Sequence, residues 1–435
     1  MRKISVLMVL ASLGLAAGCS SGGSTPAGVP TGGSNNVLSI AVDGGPNPSQ
    51  IGLFTNSAYA SATICAPGST SNCVTVDHLL VDTGSFGLRV LQSAISTLNL
   101  PAINASNGSA AYNCVAFVDG SFLWGPVEKA NVTLSGETAS NIPIQVVENP
   151  TGFSIPTSCS NGATNEDTQA ALGANGILGV GLEPFDCGTT CDPSAGGTPP
   201  STAPAYFTCS SGGCTPAFVS CGAECNDSSS LAQVTNPVVL FSVDNNGVIV
   251  ELPSVSGSAA TVTGSLVFGI STESNNQLAS GVNVYTLACD KFNTIFENQT
   301  FAINPASCTG PGSFIDSGSN GYFFPNVTSP AIATCPSSTP EGDLSEFYCP
   351  TSLLNLSAVN EDPNTLFQGP AVSFSVDNAE TLFSSGDAAL GTLGGLQPTG
   401  AGFDWGLPFF YGRNVYTAID GQSVPTNATA PWWAY

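Results

Sequence analysis

The stretch LLVDTGSFGLRV, residues 79–90, places one aspartate, Asp82, at the end of an apolar run and follows it with Thr, Gly and Ser. The run Leu79-Leu80-Val81 is typical of a buried strand. A buried carboxylate costs free energy unless hydrogen bonds or a paired group stabilise it. Asp82 is therefore either a turn residue between two strands or a residue with a chemical task.

The same pattern occurs a second time, in GSFIDSGSNGYFF at residues 312–324 around Asp316. Each copy is followed later in its half by an apolar segment with glycine, GILGVGL at 176–182 and DWGLPFF at 404–410. One Asp-hydroxyl-Gly-Ser tetrapeptide in a chain rich in Ser, Thr and Gly is typical of an Asx turn. Two copies in opposite halves, each ending an apolar run, indicate two related lobes.

The other residue types leave these two acids as the candidate reactive groups. The chain has one histidine, His78, which lies in no triad-like pattern and which we interpret as a residue at a strand edge. A nucleophilic triad needs a histidine base, and zinc hydrolases usually recruit at least two histidines. If the lobes bring Asp82 and Asp316 together, the two carboxyls share one proton, so that one activates a water and the other serves a carbonyl oxygen.

The residues after each aspartate are suited to supporting it. A glycine lets backbone N–H groups approach a carboxylate closely, and the serine after it can donate a hydrogen bond to the outer oxygen. The hydroxyl residue directly after each aspartate can reach the opposite lobe. These supporting residues are Thr83, Gly84, Ser85, Ser317, Gly318 and Ser319.

The two motifs resemble the catalytic motifs of pepsin-like aspartic proteases, and the similarity extends along most of the chain. FVDGSFLWG (117–125) resembles the flap hairpin, GSLVFGI (264–270) the strand that enters the second lobe, and GLPFFYGRNVYTAIDG (406–421) the closing strand and hairpin. A group of bacterial exported lipoproteins is also similar. The resemblance implies an all-β, bilobal double β-barrel with a cleft between the lobes, catalytic Asp82 and Asp316, a peptide or protein substrate, and neither cofactor nor metal.

The sequence departs from the family pattern in the flap and at residue 89. Phe117 stands where the flap usually offers a tyrosine, and Tyr112 is a candidate substitute. Arg89 stands where a tryptophan commonly packs. The residues that the resemblance assigns to the flap and substrate contact are Tyr112, Phe117, Asp119, Gly120 and Ser121.

Short apolar stretches that alternate with turn residues predict a mostly β protein with few short helices. Residues 37–240 form the predicted N-terminal lobe, which contains a Cys-rich insertion at 186–230, and residues 241–435 form the C-terminal lobe. The stretches that predict strands or hairpins are VLSIAVDG, HLLVDTG, ANVTLSG, IPIQVVE, NPVVLFSVDNNGVIVEL, GSLVFGI, NVYTL, AVSFSVD and NVYTAIDG.

The first residues have the pattern of a secretory signal, because Arg2 and Lys3 precede an apolar run. Small residues before Cys19 resemble a bacterial lipobox, which predicts lipidation at Cys19 after removal of the signal. Residues 20–36 form the predicted flexible tether. We expect an exported protein anchored by lipid to the bacterial outer membrane, on its periplasmic or cell-surface face; an ordinary cleaved signal peptide is the alternative.

The cysteine count agrees with export. The chain has 15 cysteines, so a lipid on Cys19 leaves an even number, enough for seven disulfides. The segment between Cys65 and Cys73 is a predicted stapled hairpin. Zinc is the alternative for three close pairs, although none has the two-residue spacing of zinc knuckles. These pairs are Cys187/Cys191, Cys209/Cys214 and Cys221/Cys225.

The charge balance limits the possible partners. The chain has 30 acidic and 6 basic residues, and charged residues are 8% of it where about 25% is usual. Nucleic acid and anionic lipid head groups need clustered positive charge, so we expect neither as a partner, and we expect a monomer. Two functions stay open: an acid endopeptidase, and a non-catalytic module that binds peptide or glycan in the same cleft. The terminal Trp432, Trp433 and Tyr435 predict a core strand, with membrane or sugar contact as the alternative.

Overall fold

A computed structural model describes residues 35–148, 153–195, 198–199, 205–222, 230–398, 400–426 and 428–435. The predicted signal, the lipidation site Cys19 and the tether up to residue 34 lie outside the described residues.

Strands of the first half close into a barrel. Six of them follow one another in the order β6-β7-β4-β8-β3-β2, and β2 pairs again with β6. The pairs β3–β8 and β4–β7 are parallel, and the other neighbours in the barrel are antiparallel. The strands of this half are β1 (Val37–Val42), β2 (Tyr59–Cys65), β3 (Cys73–Asp82), β4 (Phe86–Leu91), β5 (Ala111–Ala116), β6 (Phe122–Leu134), β7 (Glu137–Val147), β8 (Gly176–Val180), β9 (Ala205–Ser210) and β10 (Gly213–Pro216).

The second half contains two four-stranded sheets and one two-stranded sheet, and it shares a larger sheet with the first half. The four-stranded sheets run β17-β23-β18-β22 and β16-β15-β19-β20. The strands are β11 (Gly247–Leu252), β12 (Ser258–Ala259), β13 (Val262–Phe268), β14 (Val284–Thr286), β15 (Asn293–Phe296), β16 (Gln299–Phe301), β17 (Phe314–Ile315), β18 (Tyr322–Phe324), β19 (Leu354–Glu361), β20 (Gln368–Val376), β21 (Ala389–Leu390), β22 (Gly394–Leu396), β23 (Asp404–Trp405), β24 (Arg413–Ala418) and β25 (Trp432–Ala434).

Helices in the described part of the chain are short, which confirms the predicted all-β class. The α-helices are α1 (Pro48–Ile51), α2 (Thr157–Ser160), α3 (Gln169–Leu172) and α4 (Ala379–Ser384). Turns of 3₁₀-helix cover Gln92–Ile95, Gly188–Cys191, Pro193–Ala195, Pro237–Leu240 and Leu407–Phe410. Among the described residues, no helix has the length and apolar character that a membrane span requires.

The first strand joins the two halves. All six residues of β1 pair with β13 in the second half, whereas β1 meets β2 of its own half at Ala41 and Tyr59. The sheet continues from β13 through β11, β24 and β25 to β14. Trp432–Ala434 is therefore a buried strand of this shared sheet, which confirms the prediction of a C-terminal core strand.

One predicted strand is wrong in part. The stretch 236–252 contains β11, but Pro237–Leu240 forms a 3₁₀ turn instead of extended backbone. Pro237 has no N–H for a sheet ladder, and the Asn236 side chain accepts a hydrogen bond from Val238 N at 3.2 Å. Both features start a helical turn.

The close cysteine pairs that the structure describes form disulfides, so the zinc alternative is wrong for them. Cys65–Cys73 closes the β2–β3 hairpin, as predicted. Cys221 is also disulfide-bonded, and the position of Cys225 lies outside the described residues. The other described disulfides are Cys114–Cys159, Cys187–Cys191, Cys209–Cys214, Cys289–Cys308 and Cys335–Cys349.

The predicted position of His78 at a strand edge is wrong. His78 lies within β3, where Asp77 and His78 together oppose the single residue Ser61 of β2, and its φ is 47°. Its imidazole is 3.3 Å from Asp43 Oδ2 and 3.4 Å from Asp77 Oδ1. A left-handed residue in a strand is a bulge, and these two carboxylates hold the imidazole there.

Candidate active site

The first aspartate lies in a turn that crosses the end of a strand. β3 ends at Asp82, β4 begins at Phe86, and β8 runs between them, parallel to β3 and antiparallel to β4. Within the turn, Gly84 N donates to Asp82 Oδ1 at 2.8 Å and Ser85 Oγ donates to Asp82 Oδ2 at 2.7 Å. These donors stabilise a carboxylate that is only 2% exposed.

The second aspartate repeats this arrangement in the other half. Asp316 follows β17, and its backbone N–H donates to Trp405 O of the parallel strand β23. Gly318 N donates to Asp316 Oδ1 at 2.7 Å, and Ser319 Oγ lies 3.0 Å from Asp316 Oδ2. The two Asp-hydroxyl-Gly-Ser motifs of the sequence therefore fold into matching turns.

Reciprocal hydrogen bonds connect the two turns. Thr83 N donates to Ser317 Oγ and Ser317 N donates to Thr83 Oγ1, each at 3.0 Å. Ser317 Oγ in turn donates to Val81 O at 2.8 Å. The hydroxyl residues that were expected to reach across do so, and they fix the distance between the two aspartates.

The two carboxyl groups lie within hydrogen-bonding reach of each other. A Cβ atom on Gly318 would lie 2.7 Å from Asp82 Oδ1, and one on Gly84 would overlap the Asp316 carboxyl. Any residue with a side chain at these two positions would push the acids apart. Glycine is therefore required by the close approach of the opposite aspartate.

The electrostatics favour one proton on the pair. Burial first, and then the neighbouring charges of Asp82 and Asp404, raise the pKa of Asp316 well above its usual value. Two carboxylates this close cannot both ionise at low cost. The arrangement therefore supplies a protonated acid, Asp316, beside Asp82.

A cavity of about 200 Å³ opens above the two acids. The hairpin of β5 and β6 lies over it, and its walls are mainly apolar. Its apolar lining residues are Phe86, Val115, Ala116, Phe117, Val118 and Phe314. This lining is suited to an apolar group.

The matched part of the sequence, residues 32–435, fits the model of a family described as "Protein of unknown function (DUF3443)". The chain belongs to the DUF3443 family. No protein with a curated description matches the sequence. A search of solved structures finds similarity to the crystal structure of aspartic proteinase from Irpex lacteus, with 14% identity and a TM-score of 0.43, over 92% of this chain and 96% of that chain.

The flap residues of the DUF3443 protein are placed only in part as expected. Phe117 lines the cavity over the acids. Tyr112 does not, and its expected role is wrong: it stacks on Trp124 at a centroid distance of 5.7 Å. Side chains alternate along β5, so Tyr112 faces away from the side that carries Val115 and Phe117.

The hairpin tip also differs from the expectation. Asp119, Gly120 and Ser121 line a different depression, beside residues 161–164, instead of the cavity over the acids. Asp119 Oδ1 accepts hydrogen bonds from Ser121 N at 2.8 Å and Ser121 Oγ at 2.7 Å. These three residues therefore form an Asx turn that closes the hairpin.

Arg89 is the centre of a polar network that borders the cavity over the acids. It forms an ion pair with Asp186 at 3.1 Å, and each side chain is 1% exposed. Arg89 Nη1 also donates to Asn113 Oδ1 at 2.6 Å and Gln145 Oε1 at 2.7 Å, and Tyr206 hydrogen-bonds Asp186. Burial is the main cause that raises the pKa of Asp186, with Arg89 acting in the opposite direction.

The Cys-rich insertion contributes to this network and to the flap. Its strand β9 pairs with β5 and extends the hairpin sheet outward to β10. Asp186 and Tyr206 both come from this insertion. No local pattern links residues that are 97 positions apart, such as Arg89 and Asp186, so sequence reasoning missed the pair.

Asp404 is the other residue that sequence reasoning missed. Its Oδ2 lies 2.7 Å from Ser319 Oγ. The signal was present, because DWGLPFF places an acid where GILGVGL has an apolar residue. Within the described part of the chain, no three His, Cys, Asp or Glu side chains are arranged to hold a metal ion.

Proposed function

We propose that this DUF3443 protein is an aspartic endopeptidase that hydrolyses peptide bonds with a water activated between Asp82 and Asp316. The observation that carries the proposal is the pair of matching turns, which reciprocal Thr83 and Ser317 hydrogen bonds hold at a fixed separation. Fixed donors and acids of this kind are what general acid–base catalysis requires.

The chemistry follows from the unequal protonation of the pair. Asp82 accepts a proton from the water as its oxygen bonds to the peptide carbonyl carbon, and Asp316 gives its proton to the carbonyl oxygen. When the tetrahedral intermediate collapses, the C–N bond breaks, the leaving amine takes the proton held by Asp82, and the new carboxyl group returns a proton to Asp316. The pair is then ready for another cycle.

The cavity suggests the kind of substrate. Its apolar walls would receive an apolar side chain next to the bond that is cleaved, and the β5–β6 hairpin would cover an extended peptide. The disulfides are consistent with an exported protein. The lipid anchor at Cys19 and an outer-membrane location belong to this proposal and rest on the leader sequence.

Binding without turnover is the alternative. The same cavity would hold a peptide or glycan, and Phe117 in place of a flap tyrosine removes a hydroxyl that could support closure of the hairpin. The two functions differ in whether the protonation of the pair matters. Neutral replacements of the acids therefore separate them.

The test uses the full-length chain, purified in detergent and incubated with an unfolded protein at acid pH. We expect new peptide termini, inhibition by a statine-type transition-state mimic, and loss of about 10³-fold or more in rate in Asp82→Asn and Asp316→Asn. Asp343→Asn, which changes an exposed carboxylate, is the matched control and should retain the full rate. Peptide binding without cleavage, unchanged in both active-site variants, would establish the binding module instead.

A further inference from the structure

A third carboxyl group continues the line formed by Asp82 and Asp316. Ser319 Oγ lies 3.0 Å from Asp316 Oδ2 and 2.7 Å from Asp404 Oδ2. Ser319 is 3% exposed and Asp404 6%, so water does not screen these contacts strongly. One hydroxyl therefore bridges two buried acids.

The bridge constrains where protons lie. A serine hydroxyl has one hydrogen, so a full hydrogen bond to both carboxyl groups needs a second proton, carried by one of the two acids. Hydrogen bonds from a hydroxyl to a charged carboxylate are the shorter kind. The shorter contact favours donation of the hydroxyl hydrogen to Asp404, and the raised pKa of Asp316 favours the remaining proton on Asp316.

We propose that Asp404 is a positioning residue of the catalytic pair, whose carboxylate takes the Ser319 hydroxyl hydrogen and thereby keeps the proton on Asp316 toward neutral pH. This inference rests on the proposed function. Two effects support it. The Ser319 hydroxyl donates to Asp404 and so does not stabilise ionised Asp316, and the Asp404 charge opposes ionisation of Asp316.

The strands and turns around Asp404 bring both apolar and acidic residues near it. In the sheet, Phe314 of β17 and Phe323 of β18 lie beside Asp404. Tyr322 pairs with Trp405, so it lies on the opposite face of β18, where it contacts Arg413. From the turns, Asp316 belongs to the bridge itself, and the charge of Asp82 acts on Asp316.

The first turn provides an internal comparison for this role. Ile177 pairs with Leu80, two residues before Asp82, as Asp404 pairs with Phe314, two residues before Asp316. Ile177 is fully buried and has no group that could accept a hydrogen bond from Ser85. The third carboxyl group thus belongs to one turn only, which makes the two acids unequal.

The test measures the pH profile of the full-length chain and of Asp404→Asn. We expect the high-pH limb of the rate profile to move down by about one pH unit or more in the variant, the size typical of removing a neighbouring like charge. Asp343→Asn should leave the limb in place. An unchanged limb in Asp404→Asn would overturn the proposal and leave the proposed function intact.

Infrared difference spectroscopy tests the same inference without turnover. The carbonyl stretch of protonated Asp316, assigned by its loss in Asp316→Asn, should disappear at a lower pH in Asp404→Asn than in the parent chain. If the parent chain has no peptidase activity, the proposed function fails while this titration still decides the role of Asp404. If Asp404→Asn does not fold, Asp404→Ile, which copies Ile177, is titrated in its place, and an unshifted band contradicts the inference.

Discussion

The turns around Asp82 and Asp316 have matching internal contacts but different surroundings. Beside the first turn, at the wall of the cavity, lies the buried ion pair of Arg89 and Asp186. Behind the second lies a cluster of aromatic rings that includes Trp405. Other rings of that cluster include Phe296, Phe324, Phe374, Phe403 and Phe409.

This difference shows that the repeated motif specifies the conformation of the turn but not the residues that pack around it and stabilise it. Aromatic rings stabilise the second turn by burial and contact, which do not depend on pH. The first turn depends on charges whose desolvation is offset only if every partner is present. The two halves should therefore respond differently to substitution and to pH.

The largest stability effect is expected at the ion pair. Arg89→Met leaves Asp186 buried without its cation, which should lower the free energy of unfolding by about 3–5 kcal/mol. The pKa of Asp186 is raised already and would rise further, so the folded state binds more protons than the unfolded state and the variant loses stability as pH increases. Chemical denaturation of the parent chain and of Arg89→Met at acid and neutral pH measures the difference in the free energy of unfolding.

The matched control for this change lies in the second half. Arg413→Met removes an arginine that donates to Phe409 O at 2.7 Å and lies over the Phe409 ring at 4.6 Å. The decrease in the free energy of unfolding should be smaller than in Arg89→Met and independent of pH. Equal, pH-independent losses in both variants would remove the distinction between a charged and an aromatic support.

The next effect concerns the bonds that join the turns. Ser317→Ala leaves Thr83 N and Val81 O without partners, whereas Thr83→Val leaves only Ser317 N. We expect losses of about 2 kcal/mol and about 1 kcal/mol in the free energy of unfolding. Equilibrium unfolding in urea compares them.

The control for these two variants is an exposed hydroxyl. Thr133→Val removes one partner of an exposed contact with Thr138 Oγ1 and should stay within about 0.5 kcal/mol of the parent chain. A Thr83→Val loss as large as that of Ser317→Ala would show that the two sides of the bridge are equivalent after all.

The smallest effect is expected at His78, the titratable residue that precedes the first turn. Its interaction with Asp43 is the main cause that raises the pKa of His78 above 6.5. A raised histidine pKa contributes stability that is complete below 6.5 and is lost as pH rises through the folded value. Because the side chain is 25% exposed, the contribution should be below about 1 kcal/mol.

His78→Gln isolates this contribution. The difference in Tm between the parent chain and the variant, measured from about pH 5 to about pH 9, should shrink as pH rises. The approach to the second turn, through Ser313 and Phe314, has no histidine, so no matching change is expected there. A difference in Tm that grows with pH would have the wrong sign for this interaction.

Much of the candidate site could be predicted because it is local. Asp82, Gly84 and Ser85 lie within one four-residue turn, and a matching tetrapeptide recurs at Asp316, so their hydrogen bonds follow from short-range geometry. The flap could be predicted as a hairpin, but not the direction of each side chain. A shift of one residue in strand parity moves Tyr112 from one face of the sheet to the other.

By itself, the sequence determined the all-β class, the two aspartate turns, the stapled Cys65–Cys73 hairpin and the C-terminal core strand, because each depends on neighbours within a few residues. Only the tertiary structure decided that β1 pairs with β13, that Arg89 meets Asp186 and that Asp404 reaches Ser319. Those contacts join residues from 85 to more than 200 positions apart, and their geometry is set by how sheets pack after the chain has closed long loops.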